Sequence, residues 1–220
     1  MELASLLTDC DAIVDTWFPG AQGGNGFADV LFGVVSPAGR TPQTFYQSNN
    51  DLPGMDNMDV YNPGITYRYW KKNVSLPFGF GLSYTTFSYS DISVSNDSPA
   101  ACDTIYVSVL VKNTGTRDSD EVVQLYVKQL IPSAPVPIVR LGDFSRIHIP
   151  AGHTVLVTLV LTPEFHTTIL DSDNFWEPNI VVEQGPLFLF VGGGQPAFFD
   201  GGVNTTVIVS NTVAWKNCTI

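Results

Sequence analysis

Residues able to do chemistry are few in this chain. Paired carboxylates split a glycosidic bond, one as acid/base and the other as nucleophile, when they stand roughly 5–5.5 Å apart. Asp11, Asp15 and Asp29 lie early in the sequence, but nothing in their spacing singles out a pair, and Asp29 falls where a short helix would turn it to solvent. The three histidines are His148, His153 and His166. None stands at a zinc spacing, so surface or edge positions are expected and no metal site is assigned. A nucleophile elbow is absent, because Ser83 lies in "GLSYT", and no Cys/His pair has a nucleophile's setting. What remains is the turn "PGAQGGNG" at 19–26. It lacks the G-K-[ST] ending of a phosphate loop and the G-x-G-x-x-G order of a dinucleotide fold, so no cofactor is expected. Yet it follows a strand-like run and opens a helix, the place where α/β sheets bind ligands. Gln22 and Asn25 are therefore the candidate residues for a neutral, hydroxyl-rich ligand; the plainer reading is that the glycines serve a tight turn with positive φ.

The elements that must hold this turn change character along the chain. "DAIVDTWF" (11–18) reads as a short buried strand, Phe27 to Phe32 as a helical stretch stopped by Gly33, "SPAGRTPQTFY" (36–46) as a turn entering a strand, and "ITYRYW" (65–70) as a strand again. Too few helices are present to cover both faces of a sheet, so residues 1–84 read as the tail of a larger α/β domain whose beginning is missing. Next comes "LPFGFGLSYTTFSYS" (76–90): Pro77, Gly79 and Gly81 exclude a helix, and the Thr, Tyr and Phe that follow suit a strand.

Beyond that elbow the chain is strands and turns. The candidates are 87–95, 104–112, 121–130, 141–149, 153–162, 186–191 and 203–210. Ile105, Val107, Val109 and Val111 make one alternating file, and Val155, Val157, Leu159 and Leu161 make its match. Seven short strands over residues 85–213 give an all-β sandwich of immunoglobulin-like or fibronectin type III-like class, leaving 214–220 as a tail.

Composition sets limits. At 44 % hydrophobic and 12 % aromatic, 220 residues can bury a core. A net charge of −11 argues against nucleic acid and against an anionic membrane surface, while a neutral sugar is compatible with it. No apolar run spans a bilayer, and the acid-punctuated start "MELASLLTDCDAIVD" is not read as a signal peptide. Of Cys10, Cys102 and Cys218, the last two could pair at strand ends; the alternative is three buried thiols. Sequons stand at Asn73, Asn96, Asn204 and Asn217, each in an expected turn, strand end or tail.

An ordered set of motifs resembles glycoside hydrolase family 3. "WFPGAQGGNGFADVLFGVVSPAGRTPQTFY" (17–46) is similar to the family's W-x-P-G-x-x-G-G, A-D-V-L-F-G and N-P-x-G-R-L-P-x-T stretches. "NPGITYRYW" (62–70) and "LPFGFGLSYTTFSY" (76–89) look like its P-G-x-T-Y-R-Y and P-F-G-x-G-L-S-Y-T-x-F signatures. "EVVQLYV" (121–127), "RLGDFSRIHIPAGHTVLVTLVL" (140–161) and "GPLFLFVGG" (185–193) resemble its C-terminal fibronectin type III-like domain. Ala21-Gln22 within the turn, and Met55 and Met58 ahead of the Pro-Gly, resemble the β-xylosidase branch more than the β-glucosidases.

The resemblance implies an exo-acting retaining glycosidase built from a (β/α)₈-type barrel, an α/β sandwich and the fibronectin-like module. Its nucleophilic aspartate would lie on the barrel and its acid/base glutamate upstream of the W-x-P-G stretch. Neither motif is found in this sequence, so no catalytic residue is assigned. The partners implied are that barrel and the rest of the α/β domain, with a neutral oligosaccharide as substrate and an extracytoplasmic, secreted or lysosomal setting. A non-catalytic carbohydrate- or protein-binding sandwich is the alternative, and a translated fragment without function of its own is the third.

Overall fold

The computed structural model describes residues 4–54, 56, 57, 59–62, 64–171 and 178–218; Met55, Met58 and Thr219 lie outside them. The first third holds helix α1 (Ala4–Asp9), helix α2 (Gly23–Leu31), strand β1 (Phe45–Tyr46), the helical turn α3 (Thr66–Tyr69) and strand β2 (Val74–Leu76). The remainder holds β3 (Phe87–Val94), β4 (Ile105–Asn113), β5 (Ser119–Gln129), β6 (Arg140–Ile149), β7 (Thr154–Leu161), β8 (Thr167–Asp171), β9 (Asn179–Val182), β10 (Gly185–Gly192), β11 (Val203–Val209) and β12 (Val213–Ala214).

Two antiparallel sheets, β3-β4-β7 and β11-β10-β5-β6, face each other to form the sandwich. The two apolar files read from the sequence stand opposite one another, with Ile105, Val107, Val109 and Val111 paired to Leu161, Leu159, Val157 and Val155. Facing them across the core are Val123, Leu125 and Val127 of β5 and Leu187, Leu189 and Val191 of β10, all buried. In β3 the alternation slips at a bulge between Ser90 and Ser93, where Asp91 takes φ 55. That extra residue lets both Tyr89 and Ile92 pack on the core. Three short strands that periodicity does not reveal, β12-β9-β8, form a small sheet. It carries Val182 and Val213 against the same core, and Trp215 joins them. The segment expected as a tail is fastened as well: Cys218 is joined to Cys102 by a disulfide, and just ahead of that segment the Asn211 Oδ1 accepts from the Ala101 amide at 2.9 Å.

Three local expectations in the first third are corrected. Residues 11–18 form no strand and are exposed, since no described strand lies beside them to complete a ladder. The expected strand in 36–46 shrinks to Phe45–Tyr46, paired with β2. Residues 65–70 turn as helix rather than strand. There the Tyr67 ring stacks on Phe78 with centroids 4.1 Å apart, and its hydroxyl accepts from the Leu141 amide at 3.1 Å. Tertiary contact overrides the strand preference of Ile, Thr and Tyr.

Candidate functional site

The glycine-rich turn takes its shape from its glycines. Gly20 adopts φ +65, and a Cβ on Gly23 would sit 2.5 Å from the Pro19 ring. Gln22 caps the start of α2 without a side-chain bond to the backbone. Its Oε1 instead accepts from Asn25 Nδ2 at 2.7 Å, so the two candidate residues form one amide pair on the solvent side of the first helical turn. The Gln22 amide nitrogen and the Asn25 amide oxygen complement the hydroxyls of a sugar. Exposed apolar side chains flank the helix in sequence: Phe18 ahead of the turn is 96 % exposed, and Phe32 and Val34 past its C-terminal end are 85 % and 73 % exposed. Helix α2 buries none of its residues. Phe27 and Leu31, on that helix, are both exposed.

The elbow then ties this segment to the sandwich through buried polar groups. Thr41 organises the turn itself: its amide donates to Phe80 O at 2.8 Å, its carbonyl accepts from the Gly79 amide, and its hydroxyl donates to Pro77 O at 2.6 Å. Gly79 has φ +76, and a Cβ there would collide with Gln124 Oε1 and stand 2.7 Å from the Tyr126 hydroxyl. In return Gln124 Nε2 donates to the carbonyls of Gly79 and Gly193, at 3.1 and 3.0 Å. At the open end of the core, Glu121 continues the inward file of β5. Its carboxylate accepts from Arg40 Nη2 at 2.7 Å and from the Tyr89 hydroxyl at 2.6 Å. Arg40 also donates from Nε to Gly193 O at 3.2 Å. The Arg40 and Glu121 side chains are 10 % and 2 % exposed. Burial pushes the Glu121 carboxyl up from its ordinary value, against the pull of the guanidinium. Burial likewise raises the Tyr89 phenol, so it stays a hydrogen-bond donor. None of these residues was singled out from the sequence, because Arg40 and Glu121 are 81 positions apart. The available signal was an acid at the head of the apolar run "EVVQLYV".

The other candidates fall at separate places. His148 and His153 are exposed, His148 Nδ1 lying 2.9 Å from Asp120 Oδ1. His166 corrects the surface expectation: it is 1 % exposed, and both ring nitrogens lack a hydrogen-bond partner. Burial pushes its imidazole down to about 4, with nearby Arg140 adding to the effect. Cys10 is an exposed free thiol rather than a buried one. Asn73, Asn96, Asn204 and Asn217 are exposed; the Asn96 Oδ1 accepts from the Ser98 amide at 2.9 Å. Among the described residues no group of three His, Cys, Asp or Glu side chains is placed to hold a metal. No helix among them is long and apolar enough to cross a membrane.

Residues 1–84 match the glycosyl hydrolase family 3 C-terminal domain, and residues 121–195 match the fibronectin type III-like domain. The chain belongs to glycoside hydrolase family 3. A xylan 1,4-beta-xylosidase of Xylanibacter ruminicola is 41 % identical over 170 residues, which is 76 % of this chain and 18 % of that protein. A periplasmic beta-glucosidase of Salmonella typhimurium is 34 % identical over 194 residues, 83 % of this chain and 24 % of that protein. Among solved structures, a beta-glucosidase of Kluyveromyces marxianus superposes with a TM-score of 0.80 at 30 % identity, covering 97 % of this chain and 26 % of that one. This family 3 chain therefore spans about a fifth to a quarter of these relatives' length.

Proposed function

We propose that the chain is the C-terminal part of an exo-acting retaining glycosidase of β-xylosidase type, with β-glucosidase type next. It completes the α/β sandwich domain and braces it with the fibronectin-like module. The 41 % identity to the Xylanibacter ruminicola xylosidase over 170 residues, with both family-typical domains present in one chain, carries this reading. Gln22 and Asn25 are its nearest approach to the sugar. Both catalytic carboxylates would come from the barrel and the earlier part of the α/β domain, which join this chain in the whole enzyme. The substrate is a neutral oligosaccharide, in keeping with a net charge of −11 and an exposed amide pair rather than a basic groove. An extracytoplasmic site of action fits the Cys102–Cys218 disulfide, with glycans at Asn73, Asn96, Asn204 and Asn217 where the host supplies them.

The test is hydrolysis of aryl β-xylosides and β-glucosides by two proteins, the 220-residue chain and an enzyme-length protein containing it. Turnover is expected from the second alone, with the xyloside preferred. Turnover by a clean preparation of the chain, abolished by an active-site inhibitor, sinks the reading, since double displacement needs two carboxylates at one bond.

A further inference from the structure

Helix α2 is nine residues long, has no buried side chain and has no side-chain cap at its start. Helices this short gain most of their stability from tertiary packing, and α2 has almost none of its own. Its last turn is nevertheless closed in order. Phe32 N donates to Ala28 O at 2.9 Å, Gly33 N to Val30 O at 3.0 Å and Val34 N to Asp29 O at 2.8 Å, with Gly33 at φ +71.

Two side chains from outside the helix hold that end. The Tyr84 hydroxyl, from the elbow, donates to Val30 O at 2.8 Å. Arg117, from the turn between β4 and β5, donates from Nη1 to Gly33 O at 2.9 Å. Its guanidinium lies 5.8 Å from the Tyr84 ring centroid, so the two groups support each other. A cation at a helix C-terminus also faces the negative end of the dipole. Together with Leu31, Phe32 and Gly33 they line a surface cleft of about 420 Å³.

Given the proposed place of the glycine-rich turn beside the sugar, on which this rests, we infer that Tyr84 and Arg117 are positioning residues through which the sandwich aims α2 and hence Gln22 and Asn25. They grip the C-terminal end of the helix, and the amide pair is carried on its first turn. The fibronectin-like module thereby acts on sugar binding without touching the sugar.

Hydrogen exchange on the 220-residue chain tests the grip. Tyr84→Phe and Arg117→Met each raise exchange at the amides of Phe32, Gly33, Val34 and Val35 roughly three- to tenfold, the range expected for losing one exposed hydrogen bond. Arg117→Lys restores part of the protection, and amides of β4 and β5 stay unchanged, which separates this effect from misfolding. Unchanged exchange at 32–35 overturns the inference. In the enzyme-length protein, Arg117→Met raises KM for an aryl β-xyloside several-fold while kcat stays within about twofold, as lost uniform binding does. Raised exchange with an unchanged KM also overturns it. An enzyme-length wild type with no glycosidase activity overturns the proposed function instead, and the exchange result still decides whether the grip exists.

Discussion

Arg40 brings a guanidinium to the end of the sandwich core, where the Glu121 carboxylate neutralises it and Tyr89 and Gly193 complete the hydrogen bonds. A buried pair of this kind adds little over an apolar substitute, but breaking it strands a charge. Arg40→Ala should therefore cost about 3–5 kcal/mol in urea unfolding, and adding Glu121→Leu to it should recover much of the loss. His166 makes a different demand. Its folded value of about 4 lies below the ordinary 6.5, so between those values the unfolded chain takes up a proton that the folded chain refuses. Stability from keeping this ring neutral is complete above about pH 6.5 and is lost as pH falls toward 4. Compared with His166→Leu, the wild type should lose roughly 2–3 kcal/mol between pH 7.5 and 4.5 by chemical denaturation. Neither residue advertised its role. A lone arginine in "AGRTP" and a histidine in "PEFHT" read as ordinary surface residues until the fold brings their surroundings together.

Elements whose partners are close and whose pattern repeats were legible. Strands β4 and β7 follow from strict alternation, and their matching files pair in register. The end of helix α2 was legible from Gly33, a local terminator, but its start was not: the helix begins at Gly23, inside the stretch expected as a turn, rather than at Phe27. Residues 65–70 were not, since the ring stack of Tyr67 on Phe78 is a long-range fact that β propensity cannot anticipate. The short strands β8, β9 and β12 have two to five residues each, too few to show a period. Of the candidate site, the amide pair Gln22–Asn25 could be found from its turn, whereas the clamp behind it could not. The elbow was recognisable by its glycines, and the structure gives the reason for one of them. Gly79→Ala forces a Cβ at φ +76 against Gln124 and Tyr126. It should destabilise the chain by about 2–4 kcal/mol, read as a lowered midpoint in urea.

At the scale of the molecule, one covalent link and one seam hold the parts together. The Cys102–Cys218 disulfide closes a loop with a sequence separation of 116, long enough that its loss should cost about 4–5 kcal/mol on the chain-entropy account. Cys102→Ser should lower Tm by that equivalent, and reductant should have no further effect on the variant. Should both proteins melt alike, the β12–β9 pairing, the Asn211–Ala101 bond and the packing of Val213 and Trp215 hold the C-terminal segment without the disulfide. The seam carries a consequence for manufacture. Arg40 bonds to the carbonyl of Gly193, 153 positions later, and a ribosome adds roughly 5–20 residues each second. For about 8–30 seconds after Arg40 is made, the groups that complete its surroundings do not yet exist. Meanwhile the apolar file Val107, Val109 and Val111 lacks Leu187, Leu189 and Val191, the β10 residues that share its core in the folded chain. A chaperone that holds apolar segments should thus be needed early in synthesis and released only once β10 has emerged.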